Sequence, residues 1–543
     1  MTRKGLGLIH TVELGILPFA GYICGISSQI TPDQKNAMIT FIQKHAGKIK
    51  GVLHCFDRIV FKGYLPLGYP GAMIRLLNRN DTLIKDFGKF VDKHTERIVQ
   101  HAKDYAQKQG CSYSEVKHWQ RKDEIAQQIA EQDNITEGLV AVFWCMESGQ
   151  SFKIAYGEGR PKLINVNRKQ RCLYYYFLDR NLGMIHVRIQ TYFPCTVQIL
   201  VNGHDVLARK MDRHNISYQQ IDNAFHAIDP KKLKQAQRFA DRIAKMNWMK
   251  ILEKYARLVN PLLGDLLKGM THYWVSDQVE YSTDILFDSP STLEPLYKQW
   301  VNHATLRFTA DDVLTFLGRK LNGNFQGEVL NDYKKGKRYQ GARVKHRMKN
   351  NWIKMYDKSG RILRVETVIN QPGEFKVRRE VTRKGKSVTL WTPMRKGVGN
   401  LWRYMEVSRK ANERYLAALG EQDVVMEAET IRSLDKLAKS VKVNGRGHRG
   451  FNPLSQEDRK LFFSVFRGEN HLNGFTNRQI RENYFADGGT DRCSAHRMSR
   501  LLKRLHVHGL IAKIPRSRRW RVSESGRHLI GSLLAVHEHY QAS

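Results

Sequence analysis

The first half of the chain alternates between β-like and helical patterns of hydrophobic and polar residues. Gly51–Gly63 is strongly β in character, whereas residues 71–134 are mostly polar and helical. Further strands are predicted at Gly138–Met146, Phe152–Tyr156, Cys172–Leu178, Met184–Gln190 and Val197–Val201. Further helices are predicted at 31–48, 203–212 and 230–258. The pattern therefore predicts a mixed α/β N-terminal domain over residues 31–260, preceded by an extension of residues 1–30.

The middle of the chain becomes β-rich after an ambiguous stretch. Residues 273–287 fit either a helix or a strand, and residues 290–320 are helical in pattern. Strands are then predicted at 338–348, 352–357, 362–370, 375–380 and 388–390, with Ser359 and Gly360 in a turn. A helix at about 398–420 ends a basic α+β nucleic-acid-binding domain over residues 261–440, and the Gly-rich residues 441–452 are predicted to be a linker.

The last 90 residues have the sharpest pattern. Helices are predicted at 455–471, at 477–484 after the capping residue Thr476, and at 494–508. The third helix has an apolar face of Met498, Leu501, Leu502 and Leu505, and a basic face of Arg497, Arg500, Lys503 and Arg504. Strands at 510–514 and 520–522 enclose a basic turn, and a last helix starts at Gly526. We therefore predict a separate domain over residues 453–543.

The charge of the chain indicates the kind of partner that it binds. The chain has 543 residues, with 90 Lys and Arg against 52 Asp and Glu, a formal net charge of +38. An excess of this size favours a polyanion, and phosphate backbones are the commonest one. The density is highest over residues 331–400, where 20 Lys or Arg face five Asp or Glu. Basic strands with interleaved aromatic residues suit a nucleic-acid backbone, although the aromatic residues also fit a hydrophobic core with the charges in solvent.

Cysteine usage and hydropathy limit the alternatives. The seven Cys are scattered and no pair forms a C-x-x-C motif, which argues against a zinc ribbon or a disulfide framework. No run reaches the roughly 18 apolar residues that a membrane helix needs. We therefore predict a cytoplasmic protein without a membrane partner.

The C-terminal pattern resembles the winged-helix domains of MarR-type regulators, a likeness carried by residues 501–513 and 521–527. In that family the third helix enters the DNA major groove and the wing contacts phosphates or the minor groove. The resemblance implies DNA contacts from Arg497, Arg500 and Arg504 on the helix and from Arg516, Arg518 and Arg519 on the wing. Lys503 belongs to the same basic face. Protein contacts by a winged helix are the alternative. The predicted fold class is thus α+β, a mixed α/β body with a basic antiparallel sheet, plus a C-terminal winged helix-turn-helix.

A second, shorter resemblance lies in the basic region. Residues 352–367 place a Tyr-Asp-Lys strand, a turn and an Arg-x-Glu strand in succession, which resembles rolling-circle replication initiators. Mapped onto this chain, Asp357 and Glu366 match the acids that hold a divalent metal and Arg364 matches their basic neighbour. The nucleophilic tyrosine of that family has no match, and His346 stands near its place. The cations of this region that are predicted to contact nucleic acid are Arg343, Lys345, Arg347, Lys349, Lys354 and Arg364.

Metal-dependent cleavage can also be considered without the family. Two-metal cleavage needs about three convergent carboxylates. Asp57 is a candidate because it ends an apolar strand, and on a helix Asp277, Glu280 and Asp284 would share one face. His346 is a candidate general base. A salt bridge to an Arg or Lys is the alternative role for each acid.

These observations predict a nucleic-acid-binding protein of a mobile genetic element, since the whole chain resembles large, poorly characterised bacterial proteins from genomes rich in such elements. One hypothesis is a DNA nickase, strand-transfer protein or replication initiator that uses Mg²⁺ or Mn²⁺. The alternative is a protein without chemistry that binds a structured or guide-like RNA in a ribonucleoprotein, or regulates DNA through the winged helix.

Overall fold

The computed structural model describes residues 41–534 of the chain. Within that span it leaves out residues 118, 158, 307, 309, 320–328, 336–341, 384–385, 421–436, 444, 453–454, 468–469, 471–473, 486–489, 528 and 532–533. The predicted N-terminal extension and most of the predicted helix 31–48 therefore lie outside the described residues. Helices and a large sheet both occur, so the predicted α+β class is confirmed. No helix in the described ranges is long and apolar enough to cross a membrane.

Nineteen strands are present in the described residues. They are β1 Ile49–Tyr64, β2 Ser112–Glu115, β3 Gly138–Ala155, β4 Lys162–Asp179, β5 Gly183–Gln190, β6 Val197–Asn202, β7 Tyr218–Ile221, β8 Ala224–Ile228, β9 Tyr273–Phe287, β10 Val329–Lys335, β11 Ala342–Met348, β12 Asn351–Lys358, β13 Ile362–Ile369, β14 Lys376–Arg383, β15 Lys386–Pro393, β16 Val441–Val443, β17 Arg446–His448, β18 Ile511–Lys513 and β19 Trp520–Val522. Eleven of them form one sheet in the order β10-β11-β12-β13-β9-β1-β6-β5-β4-β3-β2.

Twelve α-helices accompany these strands in the same part of the chain. They are α1 Pro70–Arg79, α2 Phe87–Lys108, α3 Lys122–Gln132, α4 Gly203–Arg213, α5 Leu233–Ile243, α6 Trp248–Val259, α7 Pro290–Leu306, α8 Ala310–Phe316, α9 Leu401–Gly420, α10 Gln456–Phe466, α11 Asn477–Tyr484 and α12 Arg492–Val507. By contacts within the backbone, Gly51–Thr283 and Thr367–Arg409 form one compact unit. The second comprises Asp284–Glu366, residues 41–50 and the described residues from 410 onward.

In the first unit, antiparallel strands β3 to β6 and β1 follow the predicted hydrophobic pattern. β1 is covered on both faces, since only Lys50 and Arg58 of its 16 residues are exposed. Helix α4 begins at Gly203, where a side chain would collide with the backbone because a Cβ would lie 2.2 Å from the carbonyl oxygen of Phe56. Asn202 caps this helix by accepting a hydrogen bond from the His204 backbone N–H.

The second unit contains the hairpin of β12 and β13, and its turn is the predicted one. Ser359 and Gly360 both adopt positive φ angles, of 58° and 79°, which suits a glycine in a tight turn. Strand β11 pairs antiparallel with β12, with Lys345 opposite Lys354 and Arg347 opposite Trp352. Every residue of β13 is buried, including the two charged ones.

The C-terminal segment, residues 455–534, has the predicted order of three helices and a two-stranded hairpin. Ser455 and Thr476 cap α10 and α11, the latter in a reciprocal capping box with Gln479. Its core is formed by apolar residues from all three helices and the hairpin, among them Leu461, Phe462, Ile480, Met498, Leu502, Leu505, Ile511 and Val522. The chain turns helical again at 524–527. A Cβ on Gly526 would lie 1.9 Å from the Leu510 carbonyl oxygen, so this close approach requires glycine.

Several predicted elements differ in detail. Residues 273–287 form a strand, β9, and not a helix, so Asp277 points to the face opposite to Glu280 and Asp284. The predicted linker contains the short hairpin β16–β17. Hairpin β7–β8 and strand β2 were not predicted, because they are four or five residues long and lie between helices. Short elements of this kind carry too few positions for a periodic signal.

Candidate nucleic-acid interface and acidic cluster

The basic face of α12 is exposed. Arg497, Arg500 and Lys503 are solvent-exposed, while Met498 and Leu502 on the other face are buried in the core of the C-terminal segment. His496 and Ser499 join Arg500 and Lys503 around a shallow concavity. Arg497 has a long contact, 3.5 Å, to the exposed carboxylate of Glu457. A buried face with an exposed cationic face is what a helix needs to be placed in a DNA groove.

Arg504, predicted to share this face, has a different environment. Its guanidinium donates to both carboxylate oxygens of the buried Asp458, at 2.9 and 3.1 Å. The same group donates to the Arg449 carbonyl and lies over the Phe451 ring, 3.8 Å from its centroid. Arg504 therefore fastens α12 to α10 and to the residues before α10.

The turn between β18 and β19 carries two exposed cations, Arg516 and Arg518. Arg519, the third predicted contact, is partly buried and donates to the Gly474 carbonyl at 3.1 Å. Phe475 exchanges backbone hydrogen bonds with Trp520 beside it. The hairpin is thereby fixed to the loop before α11, and its tip is left to solvent.

A second basic row lies on β11. Val344, His346 and Met348 are buried, and the alternating cations Arg343, Lys345, Arg347 and Lys349 are partly or fully exposed. Because Lys345 lies opposite Lys354 in the β11–β12 register, the cations share a sheet face with Lys354. The Lys345 ammonium also lies over the Trp352 ring, 4.2 Å from its centroid.

Glu366 lies on this same face, and its carboxylate is fully engaged. The Lys354 ammonium donates to one oxygen at 2.7 Å and the Tyr356 hydroxyl to the other at 2.6 Å. Burial opposes ionisation of Glu366, but the neighbouring ammonium and hydroxyl outweigh it and hold the pKa of this carboxyl below its usual range. Glu366 is therefore an ionised buried carboxylate.

Asp357 does not meet Glu366. It follows Tyr356 directly on β12, so its side chain points to the opposite face of the sheet. Burial raises the pKa of Asp357 to about 6. The predicted metal pair Asp357 and Glu366 is thus not brought together, because adjacent strand residues face opposite ways.

His346 is also on the face away from Glu366. Its ring is completely buried against Phe308 and Tyr415, with Nε2 3.1 Å from the Tyr415 hydroxyl. Burial lowers the pKa of His346 to about 3. It is a neutral core histidine, which does not suit the predicted role of general base.

Arg364, predicted to bind nucleic acid, is completely buried. Its Nε and Nη2 donate to the two oxygens of Asp284, both at 2.6 Å. This bidentate pair occupies the guanidinium edge that a phosphate would need.

Asp57 contacts Asn223 and lies near the buried His204, with Oδ1 3.7 Å from Nδ1. Most importantly, one carboxylate oxygen of Asp57 and one of Glu280 lie within 4.8 Å of each other. The strands that carry them, β1 and β9, are neighbours in the sheet. We call these two residues the acidic cluster.

The acidic cluster has the chemistry of a divalent-metal site. Mg²⁺ and Mn²⁺ prefer oxygen ligands, and like charges held this close oppose one another's ionisation unless a cation or proton lies between them. Asp57 was a candidate from the sequence, whereas the segment that carries Glu280 fitted either a helix or a strand. The many β-branched and aromatic residues of Tyr273–Phe287 were the signal that favoured a strand.

Comparison of the chain with protein-family models, with curated proteins and with solved structures finds no match in any of the three.

Proposed function

We propose that this protein binds DNA through its C-terminal segment, with α12 in the major groove and the β18–β19 turn on the phosphate backbone. The observation that carries the proposal is the exposed row Arg497, Arg500 and Lys503 on a helix whose opposite face is buried. The exposed Arg516 and Arg518 add cations at the tip of the hairpin. Arg504 acts in this proposal by holding α12 in position.

The physical basis is electrostatic and geometric. Each Lys or Arg that neutralises a phosphate releases condensed counterions, and a formal charge of +38 favours association with any nucleic acid. A helix fits the major groove, where Arg and Lys reach guanine edges. Specificity is therefore assigned to α12, and part of the general affinity to the rest of the chain.

The test compares R500Q/K503Q with the matched double variant K234Q/K245Q, both in the full chain. Lys234 and Lys245 are exposed and lie in the first unit, so the two variants lose equal charge. Binding to duplex DNA is measured by fluorescence anisotropy over a range of salt. We expect R500Q/K503Q, and not the control, to weaken duplex binding by about 1–3 kcal/mol for each lost contact to a guanine edge. Equal behaviour of the two variants would exclude the assignment to α12.

A second candidate function, metal-dependent cleavage of nucleic acid, is favoured by the acidic cluster. Asp57 and Glu280 would hold Mg²⁺ or Mn²⁺, which stabilises the attacking and leaving oxygens in phosphodiester cleavage. Nicking of supercoiled and single-stranded DNA with either metal tests this: activity in the wild type that is lost in E280Q and kept in D357N supports it.

A further inference from the structure

A basic groove lies in the first unit between α2 and β4. Its volume is about 910 Å³. Six cations line it, Lys93, Arg97 and Lys103 from α2 and Arg168, Lys169 and Arg171 from β4. Glu96 is the single acid among the lining residues. This groove shares no residue with the C-terminal segment or with the acidic cluster.

The cations of the groove are largely uncompensated. Within the described parts of the chain, Arg97 is the one member of the six with an ion pair, to Asp265. The guanidinium of Arg168 lies over the Tyr192 ring, 4.2 Å from its centroid. The guanidinium of Arg171 lies over Trp144 at 4.5 Å. Stacked guanidinium groups keep their charge and offer a flat second face to a ligand.

A polar side chain without a partner lies in the same groove. Gln170 is only 4% exposed, yet among the described residues neither its Nε2 nor its Oε1 has a hydrogen-bond partner. Gly149 on the adjacent strand makes room for it, since a Cβ there would lie 2.5 Å from the Gln170 Nε2. A buried amide that makes no hydrogen bond has lost its water without compensation, which destabilises the protein. A ligand with one donor and one acceptor would recover that cost.

We propose that this groove binds single-stranded nucleic acid, with phosphates on the six cations and a base edge on Gln170. A base edge presents the adjacent donor and acceptor that a carboxamide matches. Lys93 and Lys103 are ten residues apart on α2, about 15 Å along the helix axis, which spans several phosphates and exceeds one small anion. Single strands can turn a base out toward a buried amide, whereas paired bases in a duplex are held in the stack.

The first test uses the full chain with K93Q/R168Q/K169Q, whose three residues are exposed. The matched control is K231Q/K234Q/K245Q, which removes the same charge from exposed lysines outside the groove. Affinity for labelled 12-nucleotide DNA and RNA single strands and for a duplex is measured against salt. We expect the groove variant to weaken single-strand binding at least tenfold and to reduce the salt slope by about 2, at roughly 0.7 per contact. We expect the control variant to bind single strands, and the groove variant to bind the duplex, with affinities near those of the wild type.

The second test examines the contribution of the Gln170 side-chain amide alone. Gln170→Leu removes the donor and the acceptor with little change in volume. We expect the preference among homopolymer single strands to disappear while the salt slope stays unchanged, and the free protein to melt at a higher temperature because a buried unsatisfied group is gone.

These measurements distinguish DNA from RNA as the ligand of the groove. They also distinguish this proposal from that of DNA binding by α12. Stronger binding of RNA than of DNA, or the reverse, identifies the source of the single strand. Competition by a poly-glutamate peptide as effective as an oligonucleotide of equal charge would overturn the assignment to nucleic acid. Equal loss of single-strand affinity in groove variant and control would remove the groove as a site, and a duplex defect confined to R500Q/K503Q would leave the proposed function intact.

Discussion

Arg364 and Asp284 form a buried bidentate ion pair, with two N–H···O bonds of 2.6 Å. Arg364 is fully buried and the Asp284 side chain is 6% exposed. Removing a charge from water is expensive, and the pair tolerates burial because each group satisfies the other.

Removing one partner of this pair should therefore cost more than removing both. We expect Arg364→Met to lower the free energy of unfolding by about 3–5 kcal/mol, since it leaves a carboxylate buried without its guanidinium. The double variant R364M/D284L should regain most of that loss. Urea denaturation followed by circular dichroism measures both, and a double variant less stable than the single one would contradict this account.

The sequence predicted the regular elements well where their pattern was long. β1, β5 and β6 are rich in β-branched and other apolar residues, and α11 carries its capping residues, so their bounds were found to within about two residues. The long β3–β4 hairpin was only partly found, because its outer half is polar and resembles a loop. Local patterning determines such elements, and tertiary burial determines the rest.

The candidate site was harder to predict, because it depends on which face each strand residue occupies. Asp357 and Glu366 are close in sequence and on adjacent strands, but the alternation of β12 separates them. The segment that carries Glu280 fitted either a helix or a strand by its pattern, and it forms the strand β9. Arg504 lies one helical turn after Arg500, and its contacts with Asp458 and with the residues before α10 distinguish its role.

Lys503 and Arg504 are adjacent cations on α12 with different expected effects. Arg504→Gln should lower the stability of the C-terminal segment by about 3 kcal/mol, because it leaves the Asp458 carboxylate buried without its guanidinium. Lys503→Gln should leave stability within about 0.5 kcal/mol of wild type, as expected for an exposed side chain, and weaken duplex DNA binding. Thermal melting and anisotropy on both variants give the comparison. Equal melting temperatures for the two would exclude a structural role for Arg504.

Asp357 should make stability depend on pH. Burial raises its pKa to about 6 from an ordinary value of 3.8, so the folded state binds the proton more tightly than the unfolded state. Stability is then lost as pH rises from about 4 through 6, by roughly 3 kcal/mol in total. The variant Asp357→Asn has no carboxyl group at this position, so its stability does not change with pH for this reason.

We therefore expect Asp357→Asn to be more stable than the wild type at pH 8, by up to roughly 3 kcal/mol, and nearly equal to it at pH 4. Urea unfolding at a series of pH values measures the difference between the two proteins, which cancels the titration of all other groups. A difference that is constant with pH, or that grows toward acid, would show that the Asp357 carboxyl is not held in its protonated form by burial.

The acidic cluster should bind Mn²⁺, and Glu280 is the residue with which to test this. Glu280→Gln keeps the shape of the side chain and removes one of the two carboxylates that lie within 4.8 Å of each other. We expect saturable Mn²⁺ binding in the wild type and a loss in E280Q of at least the roughly 10- to 100-fold that an outer-shell change costs a metal site. Electron paramagnetic resonance of free Mn²⁺ reports binding without any need for activity. D357N serves as the control, because it removes a buried carboxyl that is not part of the acidic cluster and should bind Mn²⁺ as the wild type does. If E280Q and D357N bind equally well, the metal is held elsewhere, and the case for cleavage at these carboxylates fails while DNA binding by α12 is untouched.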